Sequence, residues 1–66
     1  MTVLIVGREE GAYTLLKGNL RDWLSENEIL ALSSPRNRGW WLRSERLPDV
    51  LALAEHQGVL IKSGMS

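Results

Sequence analysis

Apolar side chains fall along this chain in short bursts, and the spacing inside each burst separates strands from helices. Residues 2–6 form a short run rich in β-branched side chains and closed by Gly7, the pattern of a strand. Arg8, Glu9, Glu10 and Gly11 are polar and end in glycine, which reads as a hairpin loop. Residues 12–17, carrying Tyr13, Leu15 and Leu16, then read as the returning strand. After Gly18 the period changes. Leu20, Trp23 and Leu24 stand at i, i+3 and i+4 behind Asn19, predicting a short helix with an asparagine N-cap that ends near Asn27.

The second half repeats this logic. Residues 29–33 resume a strand-like run, residues 34–39 are dense in turn formers, and residues 40–43 supply the paired strand of a second hairpin. Ser44 is placed to cap the next helix, with Glu45 in its first turn and Pro48 early enough to be tolerated. Leu47, Val50, Leu51 and Ala54 line one face of that helix, and Gly58 stops it. Residues 59–62 make a last strand, and residues 63–66 a flexible polar tail.

The predicted order is therefore ββαββαβ. It describes a compact α+β domain over residues 1–62, with a twisted, mainly antiparallel sheet and two short helices on one face. The halves look alike. Gly11, Ala12 and Tyr13 precede Leu20, Asp22, Trp23 and Leu24 much as Gly39, Trp40 and Trp41 precede Leu47, Asp49, Val50 and Leu51, with a one-residue slip. A duplicated ββα unit with a pseudo-two-fold and a chance likeness of two amphipathic units are both left open. A competing segmentation fuses residues 20–32 into one helix and makes a helix-turn-helix. It sets Ile29, Leu30, Ala31 and Leu32 all round the helix end and needs an overlong corner before the tryptophans.

Length and charge change the picture by exclusion. The chain has 66 residues, eight basic and eight acidic side chains, one histidine and no cysteine. A domain of this size hides only about 60% of the surface of its unfolded chain, which leaves no room for a deep cleft between lobes. Without cysteine there is no disulfide framework, thiolate metal site or thiol nucleophile. No apolar run approaches the roughly 18 residues that span a bilayer, and residues 2–6 carry no basic leader. A cytoplasmic protein without membrane partners is the expectation, and open strand edges at residues 2–6 or 59–61 lead to the expectation of a homodimer.

Charge is not evenly spread. Between Ser33 and Ser44 lie Arg36, Arg38 and Arg43 and no acid, so the rest of this neutral chain carries the acidic excess. Side chains alternate along a strand, so Trp40 and Leu42 share one face, toward the core, while Trp41 and Arg43 share the other. An exposed indole flanked by guanidinium groups is suited to stack a base while its neighbours pair phosphates. On the duplication reading Tyr13 takes the place of Trp41, with Lys17 nearby. Arg36, Arg38, Trp41, Arg43 and Tyr13 are therefore the candidate nucleic-acid-binding residues of a small non-catalytic binding or accessory regulatory protein. The alternative is a protein-protein interaction module that uses the same Trp and Arg surface, since those residues also dominate interface hot spots.

Catalysis finds little footing. His56 is the only imidazole, and Asp49 lies two helical turns away, about 10 Å. Asp22 with Glu26, and Glu45 with Asp49, are i, i+4 pairs suited to solvated helix faces rather than to acid–base work. Glu9 and Glu10 make the loop before Gly11 hostile to phosphate. No enzyme, metal or cofactor is expected.

Overall fold

A computed structural model describes residues 2–63. Five strands, β1 (Val3–Glu10), β2 (Tyr13–Lys17), β3 (Leu32–Ser34), β4 (Gly39–Arg43) and β5 (Leu60–Ser63), form one mixed sheet in the order β3-β4-β2-β1-β5. Helix α1 (Arg21–Glu26) follows β2, and α2 (Leu47–His56) lies between β4 and β5. Short 3-10 turns, Pro35–Asn37 and Ser44–Arg46, flank β4. The protein is α+β with the expected element order. Its pairings are antiparallel except β1 with β5, which is parallel.

Both helices cover one face. Leu4, Leu16 and Leu42 from the sheet meet Leu20, Trp23 and Leu24 of the α1 segment and Val50 and Ala54 of α2 in a single core. The helical spacings read from the sequence are thus the buried stripes. Around the antiparallel central pair, in which Tyr13 faces Arg43 and Leu16 faces Trp40, the order β3-β4-β2-β1 is unchanged when the two hairpins are exchanged. That is the topology a pseudo-two-fold requires.

The helix ends share this likeness. At the end of α1, the Ile29 N–H donates to the Leu24 carbonyl at 2.9 Å and Glu28 N–H to Ser25 at 3.2 Å. At the end of α2, Val59 donates to Ala54 at 2.9 Å and Gly58 to Glu55 at 3.2 Å. Each is a Schellman motif closed by a left-handed residue, Glu28 (φ 55°) and Gly58 (φ 74°). The two C-caps also touch: Gln57 Nε2 donates to Asn27 Oδ1 (2.8 Å), and Gln57 Oε1 accepts from Trp23 Nε1 (2.8 Å).

Several boundaries differ from the sequence reading. Residues 8–10 belong to β1, not to a loop, and the turn contracts to Gly11 and Ala12. The cause is a bulge: Val6 pairs with Leu16 and Glu9 with Thr14, so Gly7 and Arg8 together oppose Leu15. Asn19 is not a helix cap, because its Oδ1 accepts the Val3 N–H at 3.0 Å and α1 starts at Arg21 behind Leu20, with no side-chain cap. Ser44 does not cap α2 either. Its hydroxyl lies 2.8 Å from Thr14 Oγ1, and a 3-10 turn precedes the helix.

Residues 29–31 are not strand, since Ile29 is consumed by the α1 capping motif, and β3 keeps only three residues, including Ser34. Strand β5 starts at Leu60 and takes in Ser63, which the sequence reading gave to the tail; residues 64–66 lie outside the described residues. With α1 only six residues long, the helix-turn-helix segmentation fails. Residues 2–6 are no edge either, because β1 is paired on both sides, which leaves β3 and β5 as the outer strands.

Candidate nucleic-acid interface

The face of the sheet away from the helices collects the residues singled out above. Trp41 pairs with Leu15 on β2 and with Leu32 on β3, while Tyr13 pairs with Arg43. Alternation therefore sets Trp41, Arg43 and Tyr13 on the helix-free face, and Trp40 turns the other way to pack on the core. Ile5 lies between Lys17 of β2 and Lys62 of β5, in register with both, which adds two amines to the same face.

The bulge supplies a residue that strand alternation alone does not reveal. The Arg8 guanidinium stands 5.7 Å from the centroid of the Trp41 ring, within cation–π range. It also pairs with Glu10 and donates from Nη2 to Asn37 Oδ1 at 3.0 Å. Asn37 in turn donates to Ser34 Oγ at 2.9 Å. The turn that bears Arg36 and Arg38 is thereby tied to the indole through Asn37 and Arg8. The one sequence signal for Arg8 was Gly7 interrupting an apolar run, a common mark of a bulge. Lys62 had no local signal, because its face is set by parallel pairing with a strand more than fifty residues away.

Beneath the indole lies a small apolar patch. Leu15 is only 2% exposed although it belongs to the helix-free face, so the side chains around it must shield it. Glycines on the neighbouring strands let it lie flat: a Cβ built on Gly7 or Gly39 would meet Leu15 side-chain atoms at 3.5 and 3.2 Å. At Gly39 that Cβ would also stand 2.4 Å from the Leu16 carbonyl oxygen. Trp41, the cross-strand partner of Leu15 on the same face, is half-buried.

Electrostatics divide at the sheet. Six of the eight basic residues, Arg8, Lys17, Arg36, Arg38, Arg43 and Lys62, lie on this face or in its bordering turn, where the one acidic strand residue is Glu10. The helices and their connections hold Asp22, Glu26, Glu28, Glu45, Asp49 and Glu55. Arg36 and Arg38 are exposed, and no carboxylate of the described residues lies within ion-pair distance of either. Arg43 Nε stands 3.6 Å from Glu45 Oε1, with both groups mostly solvated, a contact worth little and easily exchanged.

The helix side offers a different feature. A groove of about 430 Å³ opens between residues 28–30 and the start of α2, floored by Ile29, Leu42, Val50 and Leu53 and rimmed by charges that include Glu28, Arg46 and Asp49. Leu30 stands at its lip, 92% exposed. Asp22, Glu26, Glu45 and Asp49 are all exposed, as is His56 in the last turn of α2. Among the described residues no three His, Asp or Glu side chains are grouped to hold a metal ion, and no helix is long and apolar enough to cross a membrane.

No family model, curated protein or solved structure matches the chain. The functional reading rests on this geometry alone.

Proposed function

We propose that this protein is a non-catalytic nucleic-acid-binding protein, and that the helix-free face of its sheet is the binding surface. The observation that carries the reading is the partition of charge across the sheet, with six cations on the same side as a half-buried indole and the carboxylates concentrated behind. A neutral chain with such a partition attracts a polyanion to one side only. Arg36 and Arg38, with no carboxylate of the described residues within ion-pair distance, take phosphates. Arg43 exchanges its solvated contact with Glu45 for a phosphate, and Trp41 and Tyr13 meet bases or sugars.

Salt titration of binding to a labelled oligonucleotide tests this. Each phosphate neutralised contributes about 0.7 to 0.9 to the slope of log affinity against log salt, so engagement by three or four side chains gives a slope near −3. The Arg36→Ala, Arg38→Ala double variant should abolish most of that binding while unfolding cooperatively like the parent. No binding to any oligonucleotide at low salt ends the reading.

A second reading has its own observation. The apolar-floored groove and the bare Leu30 are features of a protein-protein module, and the Trp and Arg face suits a hot spot too. A protein partner would give a shallow salt slope and would protect residues 28–30 rather than Trp41. A homodimer, in either reading, forms through β3 or β5 and brings two cationic faces onto one assembly.

A further inference from the structure

We infer that the ligand of this face is a single strand rather than a duplex, with unpaired bases stacking at Trp41 and Tyr13 and the Arg8 guanidinium giving up the indole to the first of them. The inference rests on the nucleic-acid reading above and narrows it. Its starting point is where the aromatic residues sit. Trp41 is on β4 and Tyr13 on β2, the second and third strands of a five-stranded sheet. Neighbouring strands are about 4.8 Å apart, so the sheet is roughly 19 Å across from one outer strand to the other before any side chain is added. The major groove of a duplex is about 12 Å wide, and it admits a helix or a two-stranded ribbon. A five-stranded sheet cannot follow its central strands into that groove. The Trp41 ring lies half-buried against its own sheet, so it does not project far enough to reach base edges inside a stack. Only bases already free of a partner can come down to it.

The residues around the ring fit that ligand. Trp41 and Tyr13 are diagonal neighbours across β4 and β2, a separation of about 7 to 8 Å, which leaves each ring room for its own base. Arg8, held by Glu10 and Asn37 over the indole, is the group an incoming base displaces. A displaced guanidinium remains beside the strand, where it can pair with a phosphate. The phosphodiester chain then runs from Arg36 and Arg38 in the turn past Lys17, which stands beside Gly39 at the base of that turn, toward Lys62 on the outer strand β5. Single-stranded DNA and RNA share this chemistry.

Charge alone would give the opposite preference, because a duplex carries one phosphate charge per about 1.7 Å and is the denser polyanion. A preference for the single strand has to come from the bases. The test is fluorescence anisotropy with a labelled twelve-nucleotide single strand and with a hairpin duplex of equal phosphate number, each at two salt concentrations. The proteins are the parent, Trp41→Leu and Tyr13→Leu; leucine at position 41 keeps an apolar cover over Leu15 without a π face, and circular dichroism checks each fold. The parent should bind the single strand at least about tenfold more tightly than the hairpin. Each variant should lose roughly fivefold to a hundredfold on the single strand, the range for one stacked base, and less than about twofold on the hairpin. Equal or tighter binding of the hairpin, with a normal salt slope, overturns the single-strand inference and leaves the nucleic-acid reading standing. A single-strand preference that survives both folded variants overturns the stacking positions. No binding to either probe overturns the underlying reading.

Discussion

Replacing Glu28 with glycine is expected to stabilise the protein by about 0.5 to 1 kcal/mol. The two helices end in the same hydrogen-bond pattern, yet α2 places glycine at the left-handed position and α1 places Glu28 there, at φ 55°. A side chain in that conformation costs about 1 to 2 kcal/mol. Glycine removes the strain but returns roughly 0.5 to 1 kcal/mol through the greater freedom of the unfolded chain. Glu28 also sets a negative charge beside the exposed carbonyls of a helix C-terminus, an unfavourable contact of a few tenths of a kcal/mol. The net effect is a gain. The reverse experiment is built into the molecule, since a Cβ added at Gly58 (φ +74°) meets nothing within 4 Å. Gly58→Ala therefore isolates the backbone cost and should destabilise by about 1 kcal/mol. For a chain of this length a change of 1 kcal/mol moves the melting temperature by roughly 4 to 8 °C, well within reach of a thermal melt followed by circular dichroism. Glu28→Gln separates the charge from the backbone and should account for less than half of the gain. Stability unchanged or lowered in Glu28→Gly, with Gly58→Ala neutral, would refute the reasoning.

Gly39→Ala drives a Cβ to within 2.4 Å of the Leu16 carbonyl in the central strand pair, so it should cost more than about 2 kcal/mol in urea unfolding and weaken oligonucleotide binding as β4 shifts. Trp40→Ala removes a half-buried indole from the helix side and should destabilise by about 3 kcal/mol, the low end for tryptophan truncation, whereas Trp41→Leu, which keeps an apolar side chain in place, should cost less than that in the same urea titration. If the second variant unfolds first, the two faces of β4 have been assigned the wrong way round.

Local periodicity made the elements and the core legible. Leu20, Trp23 and Leu24, and Val50 with Ala54, are the stripes their spacing announced, and simple alternation put Trp40 and Trp41 on opposite faces. Polar residues with more than one local partner were misread. Asn19 and Ser44 stand where caps belong, yet the Val3 amide and the Thr14 hydroxyl claim them, because tertiary contacts compete with local hydrogen bonds on equal terms. Charge was legible as a run along residues 33–44, while its division across the sheet was not. That division depends on Lys17 and Lys62 meeting around Ile5 and on Arg8 reaching β4, contacts set by strand order and a bulge. Strand order is non-local information: the Lys17 and Lys62 pairing has no sequence signature, and for Arg8 the one trace is Gly7 interrupting an apolar run.

The doubled position at Gly7 and Arg8 acts as a phase shifter. Upstream of it, odd-numbered residues of β1 look toward the indole side; downstream, even-numbered ones do, as the pairing of Glu10 with Tyr13 requires. A ladder running evenly through the same eight residues would swing Glu9 round to Trp41 and turn Arg8 toward the helices, placing a carboxylate where a guanidinium now stands. The charge that stands over the indole thus depends on the parity of one strand, and one residue of slack decides whether it is a guanidinium or a carboxylate.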